Sequence, residues 1–152
     1  MERDGLSNAG TSSTLENFGL IKGAAVAVLG GDGQETVFNH GRILGGVVLG
    51  DGADTFVFGK GGTLSGNLFL GEGNDLVVVE DGSGKSRIAD FVAGAGSDDR
   101  IDVSAFFSSI DDLTAHSHQS GNDVIITLDR NDQLTLANVQ LIGLHAGDFL
   151  FV

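Results

Sequence analysis

A glycine-bounded segment recurs three times in the first half of this chain at an almost constant spacing. The segments start at residues 17–23, 39–45 and 60–66, and their closing turns lie at residues 31–35, 50–54 and 71–75. Ile21, Ile43 and Leu64 hold the same place in the three copies and are separated by 22 and 21 residues. A repeat of this length, with glycine at each corner, predicts a solenoid whose coils stack around one core.

Apolar residues alternate along the short segments between the corners. Residues 54–58 and 75–79 supply one strand per copy, and the Ile21 column supplies another short one. Six more residues recur at 21-residue spacing and predict two inward-facing columns: Val26, Val28, Val47, Leu49, Leu68 and Leu70. The first copy has two additional residues, which we place at residues 29–30 as loop variation. The pattern predicts an all-β protein, a right-handed parallel β-helix or β-roll solenoid with coils of about 21 residues.

The repeat covers only part of the chain, which predicts three regions. Residues 1–14 are polar and are predicted to form a leader or an N-terminal cap, and residues 15–87 are predicted to form the β-helix repeats. Residues 88–152 follow a different pattern. We expect them to form a β-rich cap, because a solenoid end otherwise presents unpaired strand edges. Within this cap we expect a helix and two strands, at residues 109–113, 124–128 and 133–136.

The amino-acid composition limits the classes of partner that this protein is expected to bind. The chain has 21 acidic against 8 basic residues, a net charge of −13, and no cluster of lysine or arginine. Binding to nucleic acid or to anionic lipid is therefore disfavoured, and metal cations are favoured partners. Membrane insertion is not expected, since no apolar run of about 18 residues occurs. Because cysteine is absent, disulfides and cysteine-ligated zinc are excluded.

The acidic glycine corners are candidate calcium sites. Calcium takes about six to eight oxygen ligands, and a Gly-x-Gly-x-Asp corner offers a carboxylate together with backbone carbonyls. Two such corners stacked about 4.8 Å apart would complete a ligand shell. The alternative is that glycine and aspartate serve only as turn residues, with the carboxylates accepting local backbone N–H bonds. The predicted ligands are Asp32, Asp51, Asp54 and Asp75 with Gly33, Gly52 and Gly73, while Glu35 and Glu72 are predicted to be peripheral.

A second acidic group follows the repeats. Asp98, Asp99 and Asp102 lie close together in the sequence and form a further candidate calcium site. The alternative for this group is a turn in which an aspartate pairs with Arg100.

The sequence lacks the usual catalytic motifs. It contains no Gly-x-Ser-x-Gly elbow, no His-Glu-x-x-His motif and no phosphate-binding loop. His116 and His118 have no neighbouring cysteine or fixed carboxylate, and we expect them to lie in a solvated loop. The chain is therefore predicted not to be an enzyme.

Two of the corners resemble a known repeat. Residues 50–56 and 71–77 are similar to the second part of the nonapeptide Gly-Gly-x-Gly-x-Asp-x-U-x of RTX (haemolysin-type calcium-binding repeat) proteins. Residues 88–152 resemble the C-terminal region of type I secreted proteins such as the serralysin-type proteases. This chain departs from the family in having one corner per 21 or 22 residues, where an RTX roll has two nonapeptides per coil. The segments that carry the C-terminal resemblance are residues 90–91, 99–104, 123–128, 134–136 and 148–152.

The resemblance implies a function and a location. It implies a calcium-binding structural module of a type I secreted bacterial protein, which folds when Ca2+ binds outside the cell. Calcium ions and the type I secretion machinery would be its partners, and the protein would be secreted, extracellular or at the cell surface. Two alternatives remain open: a surface β-helix that binds polysaccharide or a cell-surface protein, and a fragment of a carbohydrate-active enzyme. The implied export signal consists of Asp148, Phe149, Leu150, Phe151 and Val152.

Overall fold

Parallel strands stacked one coil above the next dominate the structure, a computed structural model in which residues 11–152 are described. The strands are β1 (Ser13–Asn17), β2 (Leu20–Leu29), β3 (Glu35–Asn39), β4 (Arg42–Gly52), β5 (Thr55–Phe58), β6 (Thr63–Leu64), β7 (Leu68–Gly73), β8 (Leu76–Val79), β9 (Lys85–Ile88), β10 (Arg100–Asp102), β11 (Ser117–Ser120), β12 (Asp123–Thr127), β13 (Gln133–Leu136) and β14 (Phe149–Leu150). The helix α1 spans Ile110–Ala115, and 3-10 turns lie at Leu141–Gly143 and Ala146–Asp148. About four coils of about 21 residues result, formed by β1–β2, β3–β4, β5–β7 and β8–β9, and the predicted β-solenoid is confirmed.

One side of the solenoid is a sheet of six strands, here called the first sheet. Its order is β1-β3-β5-β8-β10-β14, and every pair is parallel. The strands are in register, so that Val37, Phe56, Val77 and Ile101 form one column without exposed surface. This column makes one wall of the core. Because the strands are in register, the residues that directly precede them also lie one above another.

The other sides of each coil belong to a second sheet, with the order β11-β12-β13-β9-β7-β4-β2 and with β6 beside β4. Burial alternation in β4 breaks at residues 45–46, where Gly45 adopts a φ of 123°. The strand turns a corner there and serves two sides, so each coil has three short strand segments, as predicted. The predicted inward residues buried on these sides are Ile21, Val28, Ile43, Val47, Leu49, Leu64, Leu68 and Leu70.

The predicted register of the first coil is wrong at one place. Val26 is 40% exposed, and Val28 is the residue that pairs with Val47. The pairing shifts twice between Lys22 and Val28, from an offset of 22 residues at Lys22 and Leu44 to one of 19 at Val28 and Val47. The first coil therefore has three additional residues, which form a bulge there and do not lie at residues 29–30. Bulges concentrate at sheet edges, where only one neighbour constrains the strand. In the described part of the chain β2 lies at such an edge.

Residues beyond β9 first continue the solenoid pairing and then pack against its end. β10 pairs with β8, and β14 follows at the edge of the first sheet. In the second sheet β13 pairs in parallel with β9, and β12 and β11 extend it with antiparallel pairs. The predicted helix and strands are confirmed as α1, β12 and β13, and the Ser109 side chain accepts a hydrogen bond from the Asp112 N–H at 3.2 Å. None of the described helices is long and apolar enough to cross a membrane.

Glycines stack over one another at the glycine corner, which we define as residues 30–34, 50–53 and 71–74 of successive coils. The backbone φ is 137° at Gly52 and 134° at Gly73, and these two residues pair across β4 and β7. A Cβ atom at Gly73 would collide with the carbonyl oxygen of Gly52, and one at Gly52 with that of Gly33. Both the backbone conformation and the close approach of the coils therefore require glycine.

The substitution Gly73→Ala is expected to lower the free energy of unfolding by at least about 2 kcal/mol, because it adds backbone strain and a collision with the next coil. Gly19→Ala is the matched control, since a Cβ there meets nothing within 4 Å. It is expected to change the free energy by less than about 1 kcal/mol. Urea denaturation followed by circular dichroism measures both values, and equal effects would contradict the stacked corner.

Candidate metal centre at the glycine corner

Four acidic residues stand at the start of successive strands of the first sheet. Glu35 is the first residue of β3, and Asp54, Asp75 and Asp99 come directly before β5, β8 and β10. Because these strands are parallel and in register, the four residues stack beside the glycine corner, and we call them the acid column. Their exposed fractions are 1%, 1%, 2% and 6%.

Three carboxylates of the column, those of Asp54, Asp75 and Asp99, accept a hydrogen bond from the backbone of the preceding coil. The Glu35 N–H donates to Oδ1 of Asp54 at 2.7 Å, and the Asp54 N–H donates to Oδ1 of Asp75 at 2.9 Å. The Asp75 N–H donates to Oδ1 of Asp99 at 3.2 Å. At the start of the first coil Ser13 takes the place of an acid, and its hydroxyl donates to Oε1 of Glu35 at 3.4 Å. Carboxylate oxygens thus extend the hydrogen bonding between coils around the corner.

The second oxygen of three of these carboxylates has no partner. Oε2 of Glu35, Oδ2 of Asp54 and Oδ2 of Asp75 are buried without a hydrogen bond. Burying a polar oxygen without a partner costs about 1–3 kcal/mol, and more when the group is charged. A stack of such carboxylates therefore requires protons or a cation to become stable.

Burial also changes the acidity of the column. Burial raises the pKa of Asp75 from 3.8 to about 7, and the charges of Asp99 and Asp54 add to this effect against the opposing N–H bond. The pKa of Asp54 rises to about 6, again mainly through burial, while the Glu35 N–H bond opposes the change and the Glu35 charge supports it. Burial raises the pKa of Asp99 as well. Without a cation, Asp54 and Asp75 therefore exchange protons near neutral pH.

A shallow cleft opens beside the last step of the column. It has a volume of about 310 Å³ and lies between the third coil and residues 92–99. Exposed Glu72 and Asp98 line it together with buried Asp99, and Gly71 and Gly73 supply backbone. All these donors are oxygens, and the chemistry of the cleft therefore suits a hard cation.

The structure brings together only part of the predicted ligand set. Asp54 and Asp75 enter the acid column, whereas Asp32 and Asp51 lie exposed at the tips of the corners. The prediction that Glu35 is peripheral is wrong, because its place at the start of β3 turns its side chain into the column. Gly33, Gly52 and Gly73 stack beside the column as described above.

The second predicted acidic group is divided between three places. Asp99 joins the acid column, and Asp98 lines the corner cleft. Asp102 lies within β10, where Oδ1 accepts the Ser104 N–H at 3.0 Å. Neither the sequence spacing nor the turn chemistry of this group indicated that residue 99 begins the corner of a further coil.

Three other buried or half-buried carboxylates bond to the backbone, but mostly to N–H groups far away in the sequence, whereas the turn alternative predicted local bonds. Each accepts two backbone N–H groups, and the sequence analysis missed these roles because all of the donors except His145 are 19 or more residues away. The bonds run to Asp90 from Leu70 and Gly71, to Asp132 from Gly82 and Gly84, and to Asp148 from Gly94 and His145.

A further acidic cluster, also missed, joins a turn of the solenoid to a hairpin of the C-terminal region. Oxygens of Asp81, Asp129 and Asp132 lie within 4.8 Å of one another, close enough to hold a metal ion. Both oxygens of Asp132 already accept backbone N–H groups, and Oδ1 of Asp129 accepts the N–H groups of Asn131 and Asp132. Two of the three carboxylates of this cluster therefore already hold the backbone of the segments that the cluster joins.

The predicted export signal lies in the folded part of the structure. Phe149 and Leu150 form β14 on β10, and Phe149 is 3% exposed. Asp148 is 1% exposed, whereas Val152 is 87% exposed. The role of these residues in export stays a prediction.

Comparisons with known proteins give a likeness among solved structures. No family model matches the chain, and no curated protein matches it. Among solved structures, the extracellular lipase LipA from Serratia marcescens is similar, with a TM-score of 0.48 and 12% sequence identity over 93% of this chain. The chain spans 21% of the length of the lipase chain.

Proposed function

We propose that this chain is a non-catalytic, calcium-binding structural module of an exported bacterial protein. The observation that carries the proposal is the set of unpartnered, buried oxygens Oε2 of Glu35, Oδ2 of Asp54 and Oδ2 of Asp75. A column of carboxylates in which one oxygen is bonded and the other is left over is unstable unless a positive charge lies beside it.

The donors of the column fit calcium better than other common metals. They are carboxylate oxygens beside glycine carbonyls that point along the stack, and neither cysteine nor histidine belongs to the column. Calcium accepts six to eight oxygens in flexible geometry, whereas magnesium demands a near-ideal octahedron. A bound calcium ion would supply charge neutralisation to Glu35, Asp54, Asp75 and Asp99.

Binding at this place would be coupled to folding. The members of the column are separated by about 20 residues of sequence and meet only when the coils stack. An ion that binds the folded chain and not the unfolded chain adds its binding energy to folding. Because the net charge is −13, repulsion between like charges opposes folding of the calcium-free chain. The compact state is therefore favoured where calcium is abundant.

Export before folding follows from the same coupling. Inside a cell, where free calcium is scarce, the chain would stay extended and able to pass through a type I exporter. Residues 148–152 would be read as the export signal in this extended state, because folding places Phe149 in the core and β14 in the first sheet. Calcium outside the cell would then drive folding.

Thermal melting with and without calcium tests the proposal. Melting is followed by far-UV circular dichroism, since the chain has no Trp or Tyr for fluorescence. Calcium at about one hundred times its dissociation constant should raise the melting temperature by roughly 5–10 °C for one saturated site. Magnesium should raise it less. Superimposable curves in calcium and in EGTA would refute calcium binding at the column.

A further inference from the structure

A polar cleft lies on the outer side of the second sheet, far in sequence from the acid column. It occupies about 220 Å³ between the third and fourth coils. Six polar side chains are among those that line it: Ser65, Asn67, Lys85, Ser86, Arg87 and Gln133.

The cleft exists because two neighbouring coils are incompletely paired. β6 pairs with β4 on one side, but no described strand pairs with its other side. β7 and β9 share a single pair, Leu68 with Ile88. The segment of residues 65–67 therefore faces β9 across a gap, where the ladder of backbone bonds between the two coils is interrupted.

The charges at this gap are opposite to those of the molecule as a whole. Lys85 is exposed and Arg87 is half-buried, and no acidic side chain lines the cleft. Asp123 holds Arg87 from outside the lining, with 2.7 Å between Oδ2 and Nη1. Lys22 and Arg42 lie next to inward-facing Ile21 and Ile43, and therefore project outward from the same side. Four of the chain's 8 basic residues thus lie on this side: Lys22, Arg42, Lys85 and Arg87.

The side chains that reach the cleft are those that alternate outward along β9 and β13. Lys85 pairs with Gln133 and Arg87 pairs with Thr135, and these four residues line the cleft. Ser86 lies between them but shares the inward side with Ile88 and Leu134, so its buried, unpaired Oγ atom faces the core. The outward groups of the cleft therefore combine two positive charges with an amide and a hydroxyl.

We propose that this cleft binds a carboxylate-bearing sugar unit, such as a uronic acid of an acidic polysaccharide. Lys85 and Arg87 would hold the carboxylate by charge-assisted bonds. The hydroxyl of Thr135 and the amides of Asn67 and Gln133 both donate and accept, which suits sugar hydroxyls, whereas inorganic phosphate offers chiefly acceptors. The proposal does not rest on calcium binding at the acid column.

Backbone amide NMR shifts, recorded in calcium-containing buffer, test this binding. Galacturonate is the probe, with neutral galactose and inorganic phosphate as comparison ligands. Galacturonate should shift the amides of residues 65–67, 85–87 and 133–135, and galactose should bind at least about tenfold more weakly. Shifts confined to the glycine corner would mean that the probe only chelates calcium there, and phosphate binding equal to galacturonate binding would mean a simple anion site. Either result overturns the proposal.

Two variants and one control separate binding from structure. Lys85→Gln should weaken galacturonate binding about tenfold, because a charge-assisted bond is lost at an exposed residue. Gln133→Leu should weaken it severalfold, because an outward amide of the cleft is lost. Lys60→Gln, an exposed lysine outside the cleft, is the charge-matched control and should leave affinity unchanged. Unchanged affinity in both Lys85→Gln and Gln133→Leu would overturn the proposal.

Discussion

Replacing Asp75 with asparagine is expected to stabilise the calcium-free protein at about pH 8 and to remove most of its stabilisation by calcium. Asparagine has the same shape, and its Oδ1 can still accept the Asp54 N–H. The buried charge that raises the pKa of Asp75 to about 7 is lost, so its desolvation no longer opposes folding. We expect a gain of about 2 kcal/mol without calcium. This is about half of what the rise in pKa corresponds to at about 1.4 kcal/mol per unit, because the buried NH2 group of asparagine has no partner where Oδ2 has none.

The calcium response should change in the opposite direction. Without the Asp75 carboxylate a cation loses a ligand from the middle of the column, and the increase in melting temperature on adding calcium should fall to less than half. Asp51→Asn is the control, because it removes the same charge from an exposed residue at the tip of a glycine corner. The melting temperatures of the wild-type protein and of both variants are measured in EGTA and in calcium. If Asp75→Asn destabilises the calcium-free protein and responds fully to calcium, the column is not a cation site.

Mild acidification is expected to stabilise the calcium-free protein, in contrast to most acidic proteins. The pKa values of Asp75 and Asp54 in the folded state are about 7 and about 6, against 3.8 for the ordinary group. The folded state therefore binds more protons than the unfolded state between these values, and stability falls as pH rises through them. The stabilisation that these two groups gain by binding protons is complete below about pH 4 and is lost above about pH 7.

We expect the free energy of unfolding in EGTA to increase by a few kcal/mol between about pH 8 and about pH 5. In saturating calcium the trend should weaken or reverse, because protons displace the cation from the same oxygens. Urea denaturation at several pH values, in EGTA and in calcium, measures this. The double variant carrying Asp54→Asn and Asp75→Asn should lose most of the dependence over this range. A calcium-free wild-type protein that loses stability steadily from pH 8 to pH 5 would contradict buried, protonatable carboxylates.

The repeat predicts the fold because it is a local signal. Ile21, Ile43 and Leu64 occupy equivalent positions, and alternation along a strand decides which of their neighbours face inward. The Ser109 cap of α1 depends on atoms three residues apart and was equally visible. The wrong register at Val26 has a different origin, since a bulge moves residues along a strand without changing the composition of the repeat.

The sequence predicted the type of side chain at the candidate site, but only some of the residues that form it. An acid next to a glycine turn is recognisable one corner at a time, which is how Asp54 and Asp75 were selected. The sequence did not show which carboxylates are buried. Glu35 enters the column, whereas Asp32 and Asp51 are exposed and do not. Asp99 was placed in a separate group, although it continues the column one coil further.

The amino-acid sequence alone determined the coil length, the inward columns and the presence of a carboxylate at each corner. These properties follow from side-chain direction and turn chemistry within a few residues. Only the tertiary structure decided which carboxylates share a column, which of their oxygens remain unpaired, and where a gap between coils lies beside Lys85 and Arg87. The physical reason is that burial and pairing arise when one coil stacks on the next, and that stacking joins residues about 20 positions apart.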